Sequence, residues 1–169
     1  EDQPFFLFLP YLIPHAELLV PDDSIFRLYA GKFPEKPYQG VDSGQNFRLG
    51  PYGSVEQPRA SFAAMVTRLD LYVGQIVSKI EELGLSEKTL IIFTSDNGPH
   101  LEGGADPDFF NSNGPLSGYK RDLFEGGVRV PMIVRWPKII DFGSSSDHVS
   151  AFWDIMPTLC DLAGINSPA

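Results

Sequence analysis

An α/β fold is the class this sequence predicts, and three stretches predict it. Thr89-Leu-Ile-Ile-Phe-Thr94 is an uncharged run in which five of the six residues are β-branched or aromatic, the pattern of a strand covered on both faces. From Pro58 to Leu83, apolar residues return at three- and four-residue intervals, the mark of one face of a long helix that leads into that strand. Pro4-Phe-Phe-Leu-Phe-Leu-Pro-Tyr-Leu-Ile13 is a second aromatic-rich run, too short to span a membrane and read as another buried strand. A helix followed by a buried strand is the unit from which sheets layered between helices are built.

Each element can be justified in turn. The strand expected over 4–13 needs neighbours on both sides, so a chain opening on it reads as a piece of a longer protein. His15 follows its end, after Pro14; a lone histidine there is either a solvent-exposed loop residue or an imidazole poised over the sheet edge. Residues 16–57 carry prolines, glycines and scattered charges without a sustained period, which predicts a long surface excursion. Pro58 opens the helix, Phe62, Met65, Val66, Leu69, Val73, Ile76, Val77, Ile80 and Leu83 form its apolar face, and Gly84 stops it. Arg59 lies at the helix start, away from the sheet edge.

The run at 89–94 ends abruptly in Asp96-Asn97-Gly98. Ligands of open α/β sheets bind beyond the carboxyl ends of strands, and a carboxylate beside an amide carbonyl suits a hard cation. Asn-Gly after a strand is equally a hairpin signal. Against a hairpin, no alternating partner strand can be read in the proline-, glycine- and asparagine-rich stretch from Pro99 to Gly118. Then comes Gly118-Tyr-Lys-Arg-Asp-Leu-Phe-Glu-Gly-Gly-Val-Arg-Val-Pro131, in which Lys120 and Arg121 are either solvated charges or a local cationic cluster, and Glu125-Gly126-Gly127 either an ordinary turn or part of it. Met132 to Trp136 reads as a third strand, Ser144–Ser146 as a link, and Phe152 to Gly164 as a short helix with Asp154 as N-cap. Ile155, Leu159 and Leu162 give that helix its apolar face, with Cys160 packed beside it.

Composition sets the bounds. A chain of 169 residues with 43% hydrophobic content is one domain by length, 1–169. Its formal charge of -9 argues against general nucleic-acid or anionic-membrane binding, so an anionic substrate needs locally placed cations. No membrane span is present, and a single cysteine excludes an internal disulfide and a cysteine-based zinc site.

Four blocks in order carry a resemblance: Pro4-Phe-Phe-Leu-Phe-Leu with His15; Thr94-Ser-Asp-Asn-Gly98; Gly118-Tyr-Lys with Glu125-Gly-Gly-Val-Arg-Val-Pro131; and Ser150-Ala-Phe-Trp-Asp-Ile-Met-Pro-Thr158. On these the chain resembles the arylsulfatase family of the alkaline phosphatase superfamily, more closely bacterial enzymes similar to N-acetylgalactosamine-6-sulfatase. The resemblance implies part of an α/β/α sandwich with a central mixed, largely parallel sheet. It implies a sulfuric ester hydrolase of a sulfated sugar, glycan or aryl ester, resident outside the cytoplasm or in the lysosome. It further implies that Asp96 and Asn97 are ligands of a divalent cation, usually Ca²⁺ with Mg²⁺ possible. Lys120 then contacts the sulfate, and His15 lies near sulfate and leaving-group oxygen. A neutral donor at Asn97, where related phosphatases place imidazole, favours one hard cation.

The departures are as informative. The family's formylglycine nucleophile arises in a Cys/Ser-x-Pro-x-Arg segment, which these 169 residues do not contain; Cys160 is followed by Asp161-Leu162-Ala163. The expectation is a partial catalytic domain, inactive alone and prone to self-association through uncovered strands. Two alternatives stay open: a phosphodiesterase or phosphonate hydrolase of the same superfamily, and a non-catalytic remnant that keeps the fold.

Overall fold

The long helix expected after residue 57 forms as α2, Pro58–Glu82, preceded by a single turn, α1, Ser24–Arg27. These elements come from a computed structural model that describes residues 3–45 and 52–167. Proline at its first turn costs α2 nothing, because the first amides of a helix have no partner within it. Two of those amides are satisfied from a distance: the Glu35 carboxylate accepts from the Arg59 and Ala60 N–H groups, each at 3.0 Å. Gly84 closes the other end at φ +68°, a left-handed conformation that favours glycine.

The first two turns of α2 are buried, and its second half is half-buried or exposed. The apolar face is therefore realised unevenly: Met65 is core, while Val66 and Leu83 are exposed. The core itself joins Met65 to Leu18 and Val55, with Ile13, Val20, Phe62 and Ala105 against it. Residues 16–57 are thus more than a surface excursion, since they supply Leu18, wholly buried, and Val55. The backbone bridge between Tyr38 and Val55 ties the middle of that stretch to its end.

Two of the three expected strands form. β1, Ile91–Thr94, pairs antiparallel with β2, Met132–Arg135, in a register that sets Ile91 opposite Arg135 and Thr94 opposite Met132. The hairpin alternative at Asp96-Asn97-Gly98 falls, because the partner of β1 lies beyond a connection of nearly forty residues. All four residues of β1 are half-buried instead of covered on both faces. The strand expected over 4–13 is a correction: these residues form no strand, and Phe6 and Phe8 are 77% and 74% exposed. The physical reason is that a strand exists through its ladder, and β1–β2 is the only ladder among the described residues. That ladder contains no parallel pairing.

The chain divides into two compact units, the first through Trp136 and the second from Pro137. In the first, a turn of helix, α3, spans Glu125–Val128. In the second, a 3-10 turn at Phe152–Asp154 runs into α4, Ile155–Leu162. Asp154 stands at the N-cap of α4, but its carboxylate turns back to accept from the Ala151 N–H at 2.7 Å. Cys160 is buried, as its packing role requires, whereas Leu162 is exposed.

Candidate anion-binding site

The carboxyl end of β1 is held by backbone contacts that leave no room for side chains. The Gly98 N–H donates to the Gly127 carbonyl at 2.9 Å, and a Cβ on Gly98 would lie 1.8 Å from the Gly126 carbonyl oxygen. Gly126 in turn donates to Ser117 O at 2.7 Å, where its own Cβ would meet Gly118 O at 2.2 Å. The glycine pair of α3 is therefore a packing device: it lets the loop after β1 and the loop before α3 touch backbone to backbone. One further bond, Lys120 N–H to Pro99 O at 2.8 Å, fixes Lys120 beside the loop that begins at Asp96.

That placement brings Lys120 to His15, 105 residues away in sequence. The ammonium donates to His15 Nε2 at 2.7 Å, while His15 Nδ1–H donates to the Ala16 carbonyl at 2.7 Å, so the imidazole is neutral with its proton on Nδ1. Glu102 lies between the charged groups. Its Oε2 is 3.4 Å from Lys120 Nζ, 3.7 Å from His15 Nε2 and 3.4 Å from His100 Nδ1, and its Oε1 contacts the Arg121 guanidinium. Burial alone would push the Glu102 carboxyl up; Lys120 and Arg121 outweigh it and hold the group below its ordinary value, so it is ionised.

His100 completes the cluster. Its ring stacks on that of His15 with centroids 5.1 Å apart, Nε2 donates to Pro14 O at 3.3 Å, and Nδ1 accepts from the Glu102 N–H at 3.2 Å. Burial lowers its pKa, which agrees with a neutral ring that uses one nitrogen as donor and the other as acceptor.

The expected site residues divide into two pairs. His15 and Lys120 meet directly. Asp96 and Asn97 sit at the end of β1, with Asp96 exposed and Asn97 half-buried. Ser95 Oγ donates to Asn97 O at 3.0 Å and Asn97 Nδ2 to Gly98 O at 2.9 Å, which leaves the Asn97 side-chain oxygen uncommitted; Asp96 has no hydrogen bond or ion pair among the described residues. No side-chain hydrogen bond or ion pair among the described residues joins the two pairs; the Pro99–Lys120 backbone bond connects their loops. Among the described residues, no group of three or more His, Cys, Asp and Glu is arranged to hold a metal.

Sequence reasoning missed Glu102 and His100. Their one local signal is His-x-Glu beginning six residues beyond the apolar run. Arg59 stands at the start of α2, as expected, and is buried there: the guanidinium pairs with Asp106 at 2.6 Å, donates to Pro34 O and lies 3.9 Å above the Phe109 ring. Arg121, by contrast, is 72% exposed at its side chain.

Two cations around one ionised carboxylate and two neutral imidazoles, on the loops beyond the carboxyl end of β1, are chemically able to offer an anion a binding face in an α/β protein. Comparison with known proteins gives that class a family. The chain belongs to the sulfatase family, whose model, described as Sulfatase, matches residues 1–165. It is 36% identical over 169 residues to steryl-sulfatase of Homo sapiens, covering 99% of this chain and 24% of that protein. It is 34% identical over 149 residues to N-acetylgalactosamine-6-sulfatase of Canis lupus familiaris, covering 87% and 28%. Among solved structures, that of Ps i-CgsB in complex with k-i-k-neocarrahexaose superposes with a TM-score of 0.73 at 29% identity, over 99% of this chain and 31% of that one. The chain thus spans about a quarter of the length of the curated relatives it matches. No helix among the described residues is long and apolar enough to cross a membrane.

Proposed function

We propose that this chain is part of the catalytic domain of a sulfuric ester hydrolase acting on a sulfated sugar or glycan, and that His15 and Lys120 hold the sulfate. The observation that carries the reading is the Lys120–His15 contact at 2.7 Å, made across 105 residues at the edge where an anion needs a cation in an acidic protein. A sulfate monoester has one negative charge, and its cleavage moves charge onto the bridging oxygen. Lys120 presents a fixed ammonium to the sulfate. Nδ1 of His15 is committed to Ala16 O, so Nε2 is the nitrogen that faces the anion, and it serves as proton donor to the departing oxygen only once it has itself been protonated. The carrageenan-derived ligand named with Ps i-CgsB and the sugar named in N-acetylgalactosamine-6-sulfatase favour a glycan substrate; steryl-sulfatase makes a steroid ester the second choice.

Asp96 and Asn97 fit a share of a hard-cation site, Ca²⁺ before Mg²⁺. Both offer oxygen at one strand end, and neither oxygen set is taken by a neighbour among the described residues. Two donors are far short of the six to eight oxygens Ca²⁺ takes, so the remainder of the shell comes from outside this chain. When bound, such a cation withdraws charge from a sulfate oxygen. Formylglycine is likewise expected of the whole enzyme and has no precursor segment in these 169 residues, so the chain alone is proposed to be inactive. The same reading makes β1 and β2 members of a larger sheet in an α/β/α sandwich.

Titration of the chain with inorganic sulfate, followed through the His15 ring resonances, tests the reading. Saturable shifts that Lys120→Ala weakens at least tenfold are expected. An unperturbed His15 ring would overturn it.

A further inference from the structure

We propose that Glu102 is a specificity-determining residue: it sets the charge of the anion site and so selects singly charged esters over doubly charged ones. The inference deepens the functional reading above and rests on it. Glu102 is the single carboxylate within 4 Å of His15, His100, Lys120 and Arg121 among the described residues, and its side chain is only 14% exposed. The two imidazoles are neutral as hydrogen-bonded, each with one ring nitrogen accepting. Lys120 and Arg121 against Glu102 therefore leave the cluster one net positive charge. Without the carboxylate it would carry two.

A pocket charge interacts twice as strongly with a dianion as with a monoanion. A sulfate monoester is a monoanion, whereas a phosphate monoester, with its second pKa near ~6, is essentially a dianion at about pH 8. A buried carboxylate at the anion site consequently penalises phosphate esters more than sulfate esters. The same carboxylate keeps Lys120 paired before substrate arrives, so its presence is compatible with a bound cation nearby: any additional positive charge changes both affinities but not the sign of what Glu102 contributes.

The test is a titration of the 169-residue chain at about pH 8 with methyl sulfate and with methyl phosphate, read from the His15 ring resonances, with circular dichroism to confirm the fold of each variant. Glu102→Gln keeps the shape and removes the charge. It should shift the ratio of the two dissociation constants toward methyl phosphate by on the order of tenfold. Arg121→Gln, at an exposed side chain that leaves the fold intact, should shift the ratio the other way. A ratio unchanged within about twofold in Glu102→Gln overturns the proposal; should that variant not fold, an unchanged ratio in Arg121→Gln does so. If both esters bind, and binding depends on Lys120 but the ratio ignores Glu102, only this inference fails. If neither ester perturbs His15 in the unaltered chain, the functional reading fails and takes the inference with it.

Discussion

His15, Lys120 and Glu102 act on one another at distances where a single proton or charge alters the whole cluster, so acidification is informative. Burial lowers the pKa of His100, which means the unfolded chain binds a proton at a pH where the folded chain does not. Its contribution to stability is therefore present above the ordinary value near 6.5 and lost as pH falls below it. Glu102 is also lowered, so its contribution is lost at still lower pH, beneath its ordinary value of 4.5. The melting temperature should fall as pH goes from about 7.5 to 5.5, with a shallower slope in His100→Gln; an identical slope in that variant would assign the loss elsewhere. At the other pair, calorimetric titration with Ca²⁺ should find only weak binding, abolished by Asp96→Ala. Tight binding indifferent to that substitution would remove Asp96 from the cation site.

At the scale of elements, the site exists because three glycine contacts let β1's loop lie on α3. Gly98→Ala would drive a methyl group to 1.8 Å from a backbone oxygen that has no rotamer with which to yield, and should cost about 3 kcal/mol or more. Gly74 supplies the internal control. It sits in the middle of α2 with open space where its Cβ would be, so Gly74→Ala should raise stability by about 0.5–1 kcal/mol through helix propensity alone. Urea denaturation of the two variants measures both, and a mild effect at Gly98 would mean the two loops separate easily. Arg59 belongs at this scale as well: its ion pair with Asp106 and its place over Phe109 tie the start of α2 to the loop after His100. Arg59→Ala should destabilise by about 3 kcal/mol, chiefly because Asp106 loses its close guanidinium partner and keeps only the exposed Lys36 at 3.5 Å.

For the molecule as a whole, the exposed apolar segment from Phe5 to Leu12 and the unpaired outer edges of β1 and β2 present surface of the kind that other chains cover. We expect concentration-dependent association. Light scattering should report masses above the 18.7 kDa of one chain, reduced in Phe6→Ser/Phe8→Ser, whose side chains are exposed and whose replacement leaves the melting temperature unchanged. A monomer at high concentration would refute this.

Local pattern was enough to read α2, β1 and β2 from the sequence, because periodicity, a leading proline and a closing glycine act within a few residues of one another. It also brought out His15, Asp96, Asn97 and Lys120 through blocks whose order matches a family. Tertiary structure alone decided the rest. Whether residues 4–13 form a strand depends on a partner to bond, and none is present among the described residues. Whether Leu18 is loop or core depends on Val55 and Met65. Glu102 looks like any loop carboxylate until residues 15, 100, 120 and 121 arrive within 4 Å of it, and electrostatic consequence follows distance in space, which a linear sequence does not contain.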